Sequence, residues 1–539
     1  MKYKFHYIIL LLVSVCFSCS KSFLDEKPQD FISPDNYLTN EAQSKILLSG
    51  VYASLDFIGT SNENQKMFPL QLETITDDVY DSQPWHNTTE WARGQGNSNS
   101  PWARWKWDLD FQGISRANVF IDGMAKASFA SPDKNRYIAE AKFLRAWFYH
   151  DLATYYGGVP LILLPGDLSN SFPSRNSKEE IIAQVLKDLD EGIPDLPTQY
   201  TADEDRGRIT KGAAMGLKAR VLLYNEKWAE AAAAAKGVMD LKVYNLFPDY
   251  HGLFLEQNEA GARQEIMLQV HYTPDIMPSF IYYPIGVYPA FAPTLQFVNS
   301  YYMQNGLPIT DPQSGFDPAN PYMNRDPRLN ASVFYPGSRY LNYIIGAPDP
   351  SVSTDSITIP SWLLNESGFR AKKNFDGTLR NIEKEGHNKY YMRYGEMLLT
   401  YAEAINESEG PQNAYEAIDQ LRRRAGMKTL SEAMPALSKE QMRTVIRNER
   451  RVELAFEGVR WADIRRWKIA EQVMVDALGY DNTKLKTYPG DGLGTSPDWQ
   501  YEAMVIDKRT FNAGRDYLWP IPQSEINANK NMVQNPGYN

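Results

Sequence analysis

The sequence predicts a mainly helical protein in which tetratricopeptide-type helix pairs form a scaffold beside a loop-rich, irregular half with short strands. Two helix–turn–helix segments of roughly the 34-residue tetratricopeptide size support the scaffold. The central residues 245–385 are rich in Pro, Tyr and Asn and have little helical period, which supports the irregular half. Because no low-complexity linker separates the two parts, we expect a single domain over residues 19–539.

Residues 1–18 have the pattern of a lipoprotein signal peptide. Lys2 and Lys4 give a positive start, an apolar run of roughly ten residues follows, and Ser18 precedes Cys19. A membrane-spanning helix needs roughly 20 apolar residues, so this run is too short to span. We therefore expect cleavage before Cys19 and attachment of lipid to that cysteine, which would anchor the chain to a membrane. An ordinary secretory signal cut at a nearby site is the alternative.

Composition argues against several classes of function. The two cysteines are Cys16 in this leader and Cys19 directly after it, so the rest of the chain has no thiol for a disulfide, a zinc site or a nucleophile. A net charge of −10 without an arginine-rich stripe argues against nucleic-acid binding. The common zinc-protease, serine-hydrolase and Walker motifs do not occur, which favours a binding protein. With 66 acidic residues, however, a carboxylate pair for glycoside hydrolysis stays open.

The N-terminal part, about 41–241, combines helices with polar loops. Residues 60–105 are rich in Asn, Ser and Gly and carry several Trp, so we expect long loops there. Trp102, Trp105 and Trp107 lie where a helix begins, which favours core packing for all three. Apolar spacing and turn signals predict helices at 41–56, 109–125, 134–156, 177–191 and, as a pair joined by a short turn, within 208–241.

The C-terminal part, 390–539, contains a second helix pair and a further helical block. Glu457, Arg460 and Asp463 are spaced three residues apart in that block and are expected to pair on the helix surface. The rigid Pro-Ile-Pro segment at 520–522 is expected to pin the end of the chain against the scaffold. The predicted helices are 394–406, 412–424 and 439–470.

Other acidic residues are explained more simply by structure than by chemistry. Glu396 and Glu403 lie seven residues apart on one predicted helix face, and we expect both to partner arginines rather than to act as acid and base. Asp188, Asp190 and the acidic run 203–205 offer oxygen ligands for a structural calcium ion. They lack the EF-hand pattern, so a solvated acidic loop is favoured, and no cofactor is expected.

Aromatic side chains in polar, loop-forming stretches are the best candidates for ligand binding. A Trp ring offers a large flat face at low entropic cost, and sugars present C–H patches that stack on such faces. Neighbouring Asp, Asn and His side chains supply hydrogen bonds to hydroxyl groups. The alternative is that the Trp rings cover an apolar face beneath a loop. The candidates are Asp78, Trp85, His86, Asn87, Trp91, Tyr283 and Tyr288.

Several stretches, in order along nearly the whole chain, resemble the SusD/RagB family of surface lipoproteins from Bacteroidetes-type bacteria. The order of the stretches and their coverage carry the resemblance. They are Ser-Phe-Leu-Asp at 22–25, Glu-Ala-Lys-Phe-Leu-Arg-Ala-Trp-Phe-Tyr at 140–149, Gly-Gly-Val-Pro-Leu-Ile at 157–162, Arg-Tyr-Gly-Glu-Met-Leu-Leu at 393–399, Glu-Arg-Arg-Val-Glu-Leu-Ala-Phe-Glu-Gly at 449–458, Leu-Trp-Pro-Ile-Pro at 518–522 and Gln-Asn-Pro-Gly-Tyr at 534–538.

The resemblance implies a SusD-like fold on the outer face of the outer membrane, anchored there by the lipid on Cys19. It implies a protein that binds a nutrient glycan, an oligo- or polysaccharide, and hands it as a lid to a SusC-like TonB-dependent transporter. It implies a binding protein rather than an enzyme, and the family motifs carry no fixed ligand residues that transfer to this sequence. The alternatives are peptide uptake by the same architecture, a surface hydrolase, and a tetratricopeptide scaffold for protein partners.

Overall fold

Helices dominate the architecture, as the sequence predicts. The computed structural model describes residues 38–56, 70–82, 87–166, 171–202, 205–273, 291–336, 339–340, 343–344, 367–375, 386–480 and 502–538. Within these ranges no helix combines the length and the apolar character needed to cross a membrane. The longer helices there are α1 (Glu41–Tyr52), α2 (Pro101–Lys126), α3 (Lys134–Tyr156), α4 (Lys178–Gly192), α5 (Lys211–Tyr224), α6 (Trp228–Asp240), α7 (Tyr394–Glu409), α8 (Tyr415–Arg424) and α9 (Lys439–Glu453).

Shorter helices of one or two turns connect these elements. They are Leu70–Glu73, Thr89–Ala92, Glu259–Ala262, Leu295–Ser300, Pro327–Ser332, Leu430–Ala433, Arg460–Arg466, Ala470–Val473 and Gln523–Ala528. Most of them lie in or beside the loop-rich parts of the chain. They give those parts local helical structure, whereas the long helices form the scaffold.

Strands are short and pair only in twos among the described residues, which confirms the predicted irregular half. All the pairs are antiparallel: β1 with β3, β2 with β8, β4 with β7, β5 with β6, and β9 with β10. The strands are β1 (Val79–Asp81), β2 (Ile266–Val270), β3 (Phe291–Pro293), β4 (Val333–Phe334), β5 (Arg339–Tyr340), β6 (Tyr343–Ile344), β7 (Arg370–Ala371), β8 (Lys389–Arg393), β9 (Ala477–Tyr480) and β10 (Ala503–Asp507).

Helix α3 has the bounds that the sequence predicts. It ends because Gly157 adopts φ +75°, a left-handed conformation that favours glycine. The next residue is constrained as well, since a Cβ at Gly158 would lie 2.3 Å from the carbonyl oxygen of Asn176. Helix α4 then begins with a capping box, in which Ser177 and Glu180 satisfy each other's backbone N–H groups.

The main core lies between α2, α3 and the helices that follow them. Trp102 and Trp107 of α2 are each only 4% exposed, which confirms that they pack in the core. Trp105 is half-buried at the edge of the core, with its ring centroid 5.5 Å from that of Trp102. Helix α2 begins at Pro101, before the predicted residue 109, because proline is well suited to the first turn of a helix.

Small residues let the tetratricopeptide-type pair of α5 and α6 approach its neighbours closely. A Cβ at Gly216 of α5 would lie 2.6 Å from Met392 Sδ of β8, so a larger residue would force that methionine side chain to move. Ala231 and Ala235 of α6 are fully buried in the same core. Since β8 runs directly into α7, this contact joins the loop-rich half to both helix pairs.

The predicted helix 439–470 is interrupted, and the prediction of one continuous block is wrong. Helix α9 ends at Glu453, and the next helix starts at Arg460. Between them Phe456 has φ +61° and Gly458 has φ +77°, two left-handed residues that reverse the chain. The apolar spacing continues through this turn, so the local pattern alone does not reveal it.

The turn also redirects the charged side chains, so the expected surface pairing of Glu457, Arg460 and Asp463 is wrong. Arg460 instead donates to the carboxylate of Asp77 at 2.9 and 2.8 Å. Asp463 accepts a 3.0 Å hydrogen bond from Arg450 of α9. Arg460 and Asp463 are buried, because they join separate segments instead of lying on the exposed surface of one helix.

Glu396 and Glu403 of α7 partner arginines, as predicted. Arg220 donates to Glu396 at 2.8 and 2.6 Å, which links α5 to α7. Arg466 donates to both oxygens of Glu403 at 2.6 Å, and the indole N–H of Trp467 adds a 2.7 Å bond. Bidentate pairs of this kind fix geometry as well as charge.

Candidate functional site

Strands β1 and β3 lie next in sequence to the two segments from which the sequence predicts ligand binding. The strands pair antiparallel, and Asp81 lies opposite Phe291 at one end of the ladder. Trp85 follows Asp81 by four residues, and Tyr288 precedes Phe291 by three. Only a few residues of chain therefore separate each of these two aromatic residues from the ladder. The candidates Trp85, His86, Tyr283 and Tyr288 themselves lie outside the described residues.

The residues that flank Trp85 and His86 in sequence meet at the end of β1. The hydroxyl of Thr88 donates a hydrogen bond to the carboxylate of Asp81, the last residue of β1. Asn87 adopts φ +59°, a left-handed conformation that asparagine tolerates better than most residues. Both ends of the segment are therefore fixed to the same strand end.

Asp78 is buried and is held by arginines. Its carboxylate accepts a 2.6 Å hydrogen bond from Arg451 of α9, and it is 2% exposed. Burial raises the pKa of Asp78, whereas for Asp77 the guanidiniums of Arg460 and Arg451 outweigh burial and lower the pKa to about 2. The backbone N–H of Thr294, next to β3, donates to the carbonyl oxygen of Asp78 at 2.9 Å. Asp78 thus ties the ladder to α9.

Trp91 packs against the C-terminal tail. Its ring centroid lies 4.7 Å from that of Trp519, and its indole N–H donates to Ser100 Oγ at 2.9 Å. A Cβ at Gly96 would lie 2.6 Å from the Trp91 ring, so a residue larger than glycine would collide with that ring. Trp519 is fully buried, and its backbone N–H donates to the carbonyl oxygen of Tyr155 at 2.7 Å. The tail is therefore pinned against the scaffold, as predicted.

Arg509 clamps the chain that leads into β1. Its guanidinium donates to the carbonyl oxygens of Thr76 and Val79, the latter at 2.8 Å, and pairs with Asp507 at 3.1 Å. Arg93, which directly follows the short helix Thr89–Ala92, pairs with the same Asp507 at 2.7 Å. The sequence analysis missed Arg509 and Asp507, because most of the chain separates them from β1 and no local pattern points to them.

A buried group of ion pairs, which we name the Glu453 cluster, joins the helix pairs to the loop-rich half. Arg393, at the end of β8, donates to Glu265 and Glu453 at 2.7 Å each. The surrounding arginines outweigh burial and hold the pKa of Glu453 well below its usual range. Cations and carboxylates are equal in number, so the cluster carries no net charge. Its members are Arg328, Lys373, Arg393, Arg422, Arg424, Glu265, Asp326, Glu449, Glu453 and Glu457.

The acidic residues considered for calcium are partners of basic side chains where the structure describes them. Asp188 accepts hydrogen bonds of 2.7 and 2.8 Å from Arg145, and Asp190 pairs with Lys218. Residues 203–204 lie outside the described ranges. In the part of the chain that the structure describes, no group of three or more His, Cys, Asp or Glu side chains is arranged to hold a metal ion.

Comparison with known proteins agrees with this architecture along the whole chain. A family model described as the SusD family matches residues 256–538, and one described as starch-binding and associating with the outer membrane matches residues 22–223. A SusD-like protein P2 from Formosa agariphila is 26% identical over the full length of both chains. The similarity therefore covers both the helical scaffold and the loop-rich half.

Solved structures show the same fold. A SusD-like carbohydrate binding protein from Bacteroides fragilis superimposes with a TM-score of 0.78 at 25% identity, covering 92% of this chain and 100% of its own. A surface glycan-binding protein A from Bacteroides fluxus gives a TM-score of 0.68 at 21% identity, covering 94% of this chain and 98% of its own. Since the first family model alone spans more than half of the residues, the chain belongs to the SusD family.

Proposed function

We propose that this protein binds a nutrient glycan, an oligo- or polysaccharide, at the outer membrane. The observation that carries the proposal is its likeness, over 92% of this chain, to the SusD-like carbohydrate binding protein from Bacteroides fragilis. The family description that matches residues 22–223, starch-binding and associating with the outer membrane, supports both the class of ligand and the location.

The lipid on Cys19 anchors the chain on the cell surface, and the bound glycan passes to a SusC-like TonB-dependent transporter that the protein covers as a lid. The leader pattern of residues 1–18 supports the anchor. The protein captures and transfers its ligand without breaking a bond, so no catalytic residue is assigned. Metabolic labelling with a fatty acid tests the anchor: Cys19→Ser should abolish labelling, and the matched control Cys16→Ser should keep it.

Aromatic stacking and hydrogen bonds from two loops hold the sugar. Trp85, Tyr283 and Tyr288 stack on the C–H faces of the sugar rings, where flat aromatic side chains give large contact at low entropic cost. His86 and Asn87 exchange hydrogen bonds with the hydroxyl groups. Because each loop supplies only part of the surface, both segments are needed for tight binding.

The framework beneath the loops supports this arrangement by holding their ends in one geometry. The hydrogen bond from Thr88 to Asp81 fixes one loop, and Arg509 holds the chain that leads into β1. Asp78 and Trp91 position the same region through their partners inside the protein. A site fixed before the ligand arrives loses less conformational entropy on binding.

Calorimetric titration of the full chain, purified in a nonionic detergent, tests the proposal. The panel contains neutral oligosaccharides of several linkages, with short peptides as the comparison. We expect saturable heat with one class of glycan and a loss of affinity of about tenfold or more in Trp85→Ala. Trp228→Ala is the matched control, because Trp228 is half-buried at the start of α6 and belongs to neither candidate segment.

The other possible outcomes test the proposed function and the proposed binding residues independently. Binding heat with peptides alone would indicate a peptide-uptake protein. The absence of binding heat with every glycan would contradict glycan binding. Saturation that survives both Trp85→Ala and Tyr288→Ala would keep the function and discard these residues. Shortened glycan chains after incubation would contradict the non-catalytic role.

A further inference from the structure

A cleft of about 250 Å³ opens where the two halves of the protein meet. Its walls come from the loop around Asp249 and Tyr250, the short helix that contains Asn330, and the chain just after β7. The end of α8 closes its floor with Arg424. The volume is slightly below the roughly 300–1,000 Å³ of pockets for drug-sized ligands, which suits a single small group or sugar residue.

Lys372 lines this cleft, and none of the described carboxylates pairs with it. Its ammonium donates a 2.7 Å hydrogen bond to the carbonyl oxygen of Asn330 and lies 5.3 Å from the centroid of the Phe334 ring. No carboxylate among the described residues lies within ion-pair distance of it, whereas the neighbouring Lys373 pairs with Glu457 at 2.6 Å. Burial lowers the pKa of Lys372 to about 8, as expected for an ammonium without a counter-ion.

Arg424 presents a second unsatisfied group at the same place. Its side chain is only 4% exposed and pairs with Glu453 and Glu265, the latter at 3.4 Å, while its guanidinium carbon lies 4.8 Å from the centroid of the Tyr250 ring. Its Nε–H, however, has no hydrogen-bond acceptor among the described residues. A buried donor without an acceptor is costly, and a bound ligand is one way to satisfy it.

The Glu453 cluster behind the cleft leaves no spare negative charge for Lys372. Its cations and carboxylates are equal in number, and Arg328, which also lines the cleft, is already engaged by Asp326, Glu449 and Glu453. At the rim, Asp249 is exposed and accepts a 3.0 Å hydrogen bond from the backbone N–H of His251. The cleft therefore contains Lys372, which pairs with none of the described carboxylates. It also contains the exposed carboxylate of Asp249 and the exposed amide of Asn330, both of which can bind hydroxyl groups.

We propose that this cleft binds the anionic group, carboxylate or sulfate, of an acidic sugar residue. Lys372 pairs with the anion, the Arg424 Nε–H turns toward the same oxygen atoms, and Asp249 and Asn330 hold the hydroxyl groups of the ring. The inference rests on the proposed function and narrows it: the glycan contains acidic residues. None of the aromatic candidates is among the described residues that line the cleft, and we assign the cleft as a second contact point for the same polymer.

Calorimetry on the full chain in detergent tests the proposal with uronic-acid oligosaccharides and neutral oligosaccharides of the same length. We expect the acidic series to bind about tenfold more tightly, because a charge-assisted hydrogen bond is worth roughly one such factor. Lys372→Gln should remove that preference and leave neutral glycans unchanged. Lys236→Gln, at an exposed lysine that pairs with Asp240 on α6, is the matched control and should change neither series.

Acetylation of Lys372 by acetic anhydride, read by mass spectrometry on the unmutated chain, tests the same contact without any substitution. Uronic-acid oligosaccharides should slow labelling of Lys372 several-fold and leave Lys236 unchanged. Equal protection by inorganic sulfate would mean an adventitious ion only and would overturn the sugar assignment. Equal protection by acidic peptides would overturn it as well.

The two proposals fail in distinguishable ways. Tight binding of neutral glycans with no preference for acidic ones, and no protection of Lys372, would overturn the acidic-sugar inference alone. No binding of any glycan, neutral or acidic, would overturn the proposed function together with it. A preference for acidic glycans that persists in Lys372→Gln would place the anion elsewhere on the protein.

Discussion

Arg393 and Glu453 meet at 2.7 Å in the interior, and neither side chain is more than 1% exposed. Arg393 ends β8 of the loop-rich half, and Glu453 ends α9 of the helical scaffold. Removing one partner of a buried ion pair destabilises a protein far more than replacing both partners with apolar residues, because the remaining charge is left buried without a partner. The junction between the two halves therefore depends on charge as much as on apolar packing.

Removal of the Glu453 carboxylate should destabilise the whole protein. We expect Glu453→Gln to lower the free energy of unfolding by about 3–5 kcal/mol, because Arg393, Arg328 and Arg424 lose a shared counter-charge. Urea unfolding followed by circular dichroism measures this. The matched control is Glu416→Gln, whose side chain is 68% exposed and should matter little. Equal losses in the two variants would contradict a structural role for the cluster.

The stability of the protein should fall in acid partly through Glu403. Arg466 and Arg450 outweigh burial and lower the pKa of Glu403 below its ordinary 4.5. Its contribution to stability is therefore fully present above about pH 4.5 and is lost as the pH falls through the folded-state pKa. The difference in unfolding free energy between wild type and Glu403→Gln should shrink from about pH 6 to about pH 3.

That comparison isolates one group from others that act in the opposite direction. Burial raises the pKa of Glu73 well above its usual range, so Glu73 stabilises the protein as the pH falls. Wild type and Glu403→Gln share Glu73, and its effect cancels in their difference. A difference that stays constant across the pH range would show that Glu403 has the same pKa in the folded and unfolded chains.

Two glycines in helices should respond to alanine with opposite signs. A Cβ at Gly113 of α2 would lie 2.4 Å from the Phe148 ring of α3, so Gly113→Ala should lower the free energy of unfolding by about 1–3 kcal/mol. Gly50 of α1 has nothing within 4 Å of the corresponding position. Gly50→Ala should therefore raise stability by about 0.5–1 kcal/mol through helix propensity. Thermal unfolding compares them, and changes of the same sign would argue against the tight contact of α2 with α3.

Substitution of Trp91 should reduce the stability of the protein, whereas substitution of Trp85 should reduce its affinity for glycan. Trp91→Ala removes a ring that packs on Trp519 and should lower the free energy of unfolding by about 2 kcal/mol. Trp85→Ala should leave the unfolding curve in place and weaken glycan binding. Parallel calorimetry and urea unfolding of both variants measure the two effects. A large stability loss in Trp85→Ala would instead place that ring under its loop.

The sequence was sufficient where the deciding interactions are local. Apolar spacing and the glycine pair after Tyr156 predict the bounds of α3, and the position of Trp107 within a helix predicts its burial. The seven-residue spacing of Glu396 and Glu403 also predicts correctly that both partner arginines. For α3 and Trp107 the signal and the structure lie within a few turns of chain. The partners of Glu396 and Glu403 are Arg220 and Arg466, which lie in other helices, so the spacing predicts the type of partner but not which arginine it is.

Distant partners decide the features that the sequence analysis missed. The chain turns after Glu453 although the helical pattern continues, since Arg393 and Arg460 find their partners in other segments. Strands β1 and β3 contain only three residues each, too few for an alternating pattern to stand out. The pairing of Asp81 with Phe291 was therefore not predictable, and neither was the clamp formed by Arg509.

The ladder between β1 and β3 has a consequence for how such proteins diversify. Backbone pairing holds its two strands, and Thr88 and Asp81 close one of the loops at its base. We therefore expect substitutions beyond those anchors to leave the fold intact. Under the proposed function, a lineage that keeps the anchors can change its ligand through substitutions in two short segments. A protein engineer can exchange the same two segments between relatives.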